Sequence, residues 1–191
     1  MNKYKNIFFK INNQQYIKIK ISCSDQIFFH RFDPVEIIFY DKKIKYILSQ
    51  KDFLGPKIEP LCWFFTSAKD GKLELSESIN DDLGYLYNQK IYNESISSKE
   101  NPDRRIHYFL MFNGNQYKTW FYTKKGSIFL QITPTYKWHF SDPKENEIFT
   151  PYEEFIKNYK SCLTIEIKKE VLSEWIKQSN EIMDMVLKND N

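Results

Sequence analysis

Residues 106–133 read IHYFLMFNGNQYKTWFYTKKGSIFLQIT. Three runs rich in β-branched and aromatic residues, Ile106–Phe112, Tyr117–Thr123 and Ser127–Thr133, are separated by Asn113-Gly114-Asn115 and Lys124-Lys125-Gly126. A glycine in each short connection supplies the positive φ that a tight hairpin needs, so the stretch predicts a meander of three antiparallel strands. The first run is apolar on both faces, which predicts a central place in its sheet.

Upstream, Ile17, Ile19 and Ile21 alternate with Lys18 and Lys20, a period of two that predicts a half-solvated strand. Residues 4–11 precede it across Asn12-Asn13-Gln14, so a hairpin is expected at the start. Gln26–Phe32 and Val35–Tyr40 read as further strands divided by Asp33-Pro34. Pro60 suits the first turn of a helix running to about Ala68, with Leu61, Phe64 and Phe65 inward and Asp70-Gly71 ending it. Downstream, Thr150-Pro151-Tyr152-Glu153 combines a capping box with Pro at the first helical position, opening a helix to about Lys160. Its buried stripe is Tyr152, Phe155, Ile156 and Tyr159. Leu163–Ile167 reads as a strand. Val171, Leu172, Trp175, Ile176, Ile182, Met183 and Val186 then recur at helical spacing along one apolar face. The expected fold is α+β: an antiparallel sheet of N-terminal hairpin strands and the 106–133 meander, packed with a few helices that include a C-terminal amphipathic one. A single globular domain over 1–191 is expected, since no repeat or linker stands out.

A 191-residue chain buries about 70% of its unfolded surface, enough that neither disulfide nor metal is required for stability. The three cysteines, Cys23, Cys62 and Cys162, are far apart and form no C-x-x-C, so reduced thiols are expected. The apolar stretch near the start, Ile7–Phe9, is too short for a signal peptide, and no run approaches the ~20 apolar residues of a membrane span. A cytoplasmic protein without membrane contact is therefore expected. Net charge is +3, but it is segregated along the chain. Residues 1–57 carry eleven basic against five acidic residues, and 104–140 carry six basic and no acidic ones. The stretch 76–103 has six acids against two lysines, and 141–154 has five against one. Such segregation speaks to partners rather than to fold.

Catalytic constellations are not indicated. His30, His107 and His139 form no H-x-x-H, and His30 and His107 fall in runs read as apolar strands. No metal and no cofactor are expected. Glu153-Glu154 sits where acids complement a helix macrodipole, Asp81-Asp82 in a segment read as irregular, and the five glycines form no phosphate-cradling loop. A binding protein rather than an enzyme is expected, and two surfaces compete. The meander carries Arg104, Arg105, Lys118, Lys124, Lys125 and Lys137 beside Tyr108, Trp120, Tyr122 and Trp138, a composition that stacks bases in a basic field. Against it, most of those aromatics are needed for the core, and no RRM consensus is present. The stretch 76–103 lacks a clean period and reads as a long acidic excursion rich in tyrosine, an efficient interface residue. The predicted partner-binding residues are Glu77, Asp81, Asp82, Tyr85, Tyr87, Tyr92 and Glu94. The structural alternative is a solvated loop whose tyrosines pack down onto the sheet.

Over residues 82–186 the chain resembles small bacterial immunity proteins of contact-dependent and polymorphic toxin systems. The residues that carry the resemblance are Asp82-Leu83-Gly84-Tyr85-Leu86, Trp120-Phe121-Tyr122, Ser127–Pro134, Trp138, Phe155-Ile156-Lys157-Asn158-Tyr159 and the helix of Trp175. The resemblance implies a cytoplasmic protein that binds one cognate toxin domain and blocks it without catalysis. Single-stranded nucleic-acid binding through the basic meander is the alternative.

Overall fold

The computed structural model describes residues 3–23, 29–77, 79, 82–96, 104–139 and 141–188. It is an α+β fold with two four-stranded antiparallel sheets. The first contains β1 (Lys3–Lys10), β2 (Gln15–Cys23), β3 (Pro34–Asp41) and β4 (Ile44–Phe53), in that spatial order. The second contains β5 (Leu110–Asn113), β6 (Tyr117–Lys124), β7 (Ser127–Pro134) and β8 (Leu163–Ile167), again in order. Four helices accompany them: α1 (Gly55–Lys69), α2 (Leu83–Ile96), α3 (Tyr152–Lys157) and α4 (Lys169–Leu187).

The expected opening hairpin forms, with Phe9 opposite Ile17 and Ile7 opposite Ile19. Ile7, Phe9, Ile17, Ile19, Ile21, Val35, Ile37 and Phe39 all turn to one side and are buried, as the period of two requires. β4 was not foreseen, because its lysines and glutamine interrupt the apolar alternation. Part of Gln26–Phe32 lies outside the described residues. The rest is not strand: Asp33 accepts from the backbone N–H of His30 at 2.9 Å, closing a turn before β3. His30 therefore lies outside any strand.

The meander forms, but with a different centre. Arg104–Phe109 is a 3-10 segment that includes His107, and only Leu110–Asn113 joins the sheet, as its edge. β6 and β7 are the central strands, and six consecutive residues of β6 are buried. Both faces of this sheet are covered. On one side, Phe65 of α1 meets Phe121 at 5.5 Å, Trp175 of α4 at 5.1 Å and Phe9 of the first sheet at 5.7 Å. Trp175 also donates its indole N–H to the carbonyl of Lys10 at 3.0 Å. On the other side, α2 lies so close that a Cβ at Gly84 would sit 2.2 Å from Thr133 Oγ1. One buried apolar cluster joins both sheets with α1, α2 and α4.

Three helices differ from expectation. α1 begins at Gly55, so Pro60 lies inside it, costing one backbone hydrogen bond. It ends at Asp70-Gly71 as expected, with Gly71 at φ 69°. α3 stops at Lys157, and Pro151 occupies its N-cap with no side-chain cap, so the capping box at Thr150 is not made. Within the excursion, residues 83–96 form α2 rather than irregular structure. Its period is blurred because Asn88 and Lys90 are buried beside Leu83, Tyr87 and Ile91. Asn88 donates to the carbonyls of Gly84 and Pro134 and accepts from the N–H of Tyr136, satisfying a polar side chain inside the fold. Among the described residues, no helix is long and apolar enough to cross a membrane.

Candidate functional site

The predicted acidic partner surface is drawn largely into the fold. Asp82 precedes α2 and accepts the N–H groups of Gly84 and Tyr85 at 2.9 and 3.1 Å, which caps the helix. The same carboxylate accepts the Tyr159 hydroxyl at 2.6 Å and the Gln131 amide at 2.9 Å, tying α2 to β7 and to the segment after α3. Burial, reinforced by that carboxylate, pushes the Tyr159 hydroxyl far up. Tyr87 is buried, 5.7 Å from Trp120 and 5.6 Å from His107. Tyr85 packs on Tyr159, and Tyr92 stacks on Tyr152 at 3.6 Å while donating to Glu153 at 2.9 Å. Glu77 stays exposed, 3.9 Å from the Lys125 ammonium. Asp81 lies outside the described residues, as do Glu100 and Asp103, and only the backbone of Glu94 is described.

The basic meander does not present its aromatics. Trp120 is fully buried and donates to Thr133 Oγ1 at 2.8 Å, and Tyr122 is buried with its hydroxyl pushed up to about 12 by desolvation. Lys118 is buried as well. Tyr108 is exposed, but it sits on the 3-10 segment against Trp63 rather than on the sheet. On this sheet Trp120 and Tyr122 therefore fill the core and offer no stacking platform, while Tyr108 and Trp138 lie off it.

The open face belongs instead to the first sheet. Even-numbered positions on β1, β2 and β3 point away from the core. The register aligns Lys10, Tyr16, Tyr40 and Lys45 in one row across four strands, and Phe8, Lys18, Ile38 and Ile47 in the next. A third row holds Asn6, Lys20 and Glu36. Tyr4 and Phe8 are 55% and 40% exposed although they stand on a well-paired strand. Tyr16 and Tyr40 stack at 4.9 Å, and Phe8 meets Tyr16 edge-on at 5.7 Å. Lysine ammonium groups lie over three rings: Lys20 over Tyr4 at 4.2 Å, Lys45 over Tyr40 at 5.6 Å and Lys18 over Phe8 at 5.9 Å. Four lysines thus surround four aromatic rings, with Glu36 the sole acid in these rows. Sequence reading found the lysine side of this alternation but not its aromatic side. The parity of Tyr4, Phe8, Tyr16 and Tyr40 relative to Lys18 was the available signal.

The chemistry-bearing residues elsewhere are muted. Burial raises the thiol of Cys62 and pushes that of Cys162 to about 11, which disfavours thiolate chemistry at neutral pH. His139 contacts Asn88 Oδ1 at 3.1 Å, and desolvation, then the nearby Lys118 ammonium, lowers its imidazole to about 4. Among the described residues, no cluster of three or more His, Cys, Asp or Glu side chains is arranged to hold a metal ion. No protein-family model, curated protein or solved structure matches the chain.

Proposed function

We propose that this protein is a non-catalytic immunity protein that binds a cognate toxin domain, and that the open face of the first sheet is its docking surface. The observation that carries the reading is the exposure of Tyr4 and Phe8 on an ordered strand within a field of lysines. Aromatic side chains on rigid backbone give large contact area at low entropic cost. The surrounding ammonium groups favour an acidic partner surface and speed the encounter. Inhibition then needs only a stoichiometric interface of standard size, ~800 Å² from each partner. Glu77, Tyr85 and Tyr92, at or near the surface around α2, can extend such an interface but do not form its centre.

A second reading, single-stranded nucleic acid on this same face, is favoured by the alternation of rings and lysines. Base stacking needs an open ring face, however, and here Tyr16 and Tyr40 cover one another while lysines cap Tyr4 and Phe8. A protein partner suits this arrangement better.

The test is a pair of titrations, one with any candidate toxin domain found encoded beside this gene and one with a random single-stranded oligonucleotide. The wild type should bind the toxin domain tightly, and Phe8→Ala with Tyr16→Ala should weaken it at least a hundredfold without unfolding the protein. Lys18→Glu with Lys20→Glu should slow association and remove its salt dependence. Tight binding to the oligonucleotide, with none to the toxin domain, would overturn the reading.

A further inference from the structure

A cleft of about 600 Å³ opens between β4, the β5–β6 turn and a wall of Thr135, Tyr136, Lys137, His139 and Ser141, meeting the outer rows of the first sheet at Ile47. Its volume falls in the range of small-molecule sites. Its walls are polar: Ser49 and Gln50 from β4, Asn115 and Gln116 from the turn, and His139 from the opposite wall. The turn is fixed against β4, because a Cβ at Gly114 would lie 2.6 Å from the carbonyl of Leu48.

Lys118 of β6 also lines the cleft and is only 6% exposed. Its ammonium donates one hydrogen bond, to the carbonyl of Gly114 at 2.7 Å, and lies 5.5 Å from the centre of the Tyr87 ring. Among the described residues no carboxylate pairs with it. Asp52 shares the cleft but is committed to Lys57 at 3.1 Å and to the Ser49 hydroxyl. Lys137 is paired with Glu147. An ammonium has three N–H donors, and a buried cation without a counter-charge is costly. Burial lowers Lys118 to about 8, so it still carries its proton at neutral pH.

We propose that this cleft binds a small polar molecule through an oxyanion, a phosphate monoester or a carboxylate, with Lys118 as its buried counter-charge. The amides of Asn115 and Gln116 and the Ser49 hydroxyl would hydrogen-bond the remainder of the ligand. This inference does not rest on the toxin-binding reading.

Calorimetric titration of the full chain with inorganic phosphate, adenosine 5′-monophosphate and acetate tests it. Saturable one-to-one binding of at least one probe is expected, with a rise in melting temperature. Binding of phosphate and the nucleotide without acetate assigns a phosphate ligand, and acetate alone assigns a carboxylate. Lys118→Met should stay folded, since it removes an unpaired buried charge, and should weaken binding at least tenfold. Should that variant fail to fold, the Lys118 side-chain NMR signal of the wild type must still move on addition of the bound probe. No binding of any probe at millimolar concentration, unchanged affinity in Lys118→Met, or a Lys118 signal that ignores the bound probe would overturn the proposal.

Discussion

The two sheets have the same strand count, the same antiparallel order and similar aromatic content, yet they face water differently. The second is closed on both sides, by α1 and α4 on one and α2 on the other, so its Trp120, Phe121 and Tyr122 are core. Among the described residues the first is closed on one side only, with Tyr4 and Phe8 exposed and Tyr16 and Tyr40 half-buried beside lysines. Aromatic and basic composition therefore does not locate a binding surface. What decides whether such residues meet water is which face the helices leave uncovered.

Substitutions can break or sharpen this contrast. The largest effects belong to the closed side: Trp120→Ala and Trp175→Ala should each destabilise by about 3–5 kcal/mol in chemical denaturation. A loss below about 1 kcal/mol would put either ring at the surface. Next comes Asp82→Ala, expected to cost about 1–3 kcal/mol because it removes a helix cap and the carboxylate that accepts the Tyr159 hydroxyl, while the Gln131 amide keeps Ser161 and Thr164 as acceptors. By contrast, Glu77→Lys should stay within about 0.5 kcal/mol. The sequence places both acids in one predicted partner surface, so this pair is a direct check of which of them the fold uses.

A smaller effect is expected from pH. The folded imidazole of His139 is lowered to about 4, while the unfolded chain protonates it near its ordinary value of 6.5. As pH falls through that window the unfolded state takes up a proton that the folded state does not, so stability is lost. Denaturation of wild type and His139→Gln at pH 7 and pH 5 should show the steeper decline in the wild type. A small stability effect is also expected on the open face: Phe8→Ala should cost less than about 1 kcal/mol in chemical denaturation. A cost like that of Trp120→Ala would mean that the first sheet is closed in solution too.

Much of the architecture was legible wherever one periodicity dominated. The β1–β2 hairpin, the β6–β7 hairpin with Lys125 and Gly126 at positive φ, and α4 all follow from local pattern and turn chemistry. The misreadings have a common cause, burial on more than one side. α2 hides Asn88 and Lys90 among its apolar residues and so lost its helical period. Ile106–Phe112 looked central because both its faces are apolar, but half of it winds into a 3-10 turn covering the sheet. Asp82 looked like a solvated loop acid because its partners, Gln131 and Tyr159, lie 49 and 77 residues away. The open aromatic rows required knowing which sheet face the helices take, and that is a tertiary fact.

The bond from the Trp175 indole to the Lys10 carbonyl spans 165 residues, and Phe9 packs on the same ring. Contacts of such separation are slow to form, because a long loop must close before any packing energy returns. On the ribosome, the Phe9–Lys10 end of the first hairpin must therefore wait for its Trp175 partner until α4 has emerged. At a synthesis rate of about 5–20 residues per second, that wait is on the order of ten seconds to half a minute. The lysines along β1 and β2 then acquire a second use, since charge on an unpaired strand discourages edge-to-edge association while the chain is incomplete.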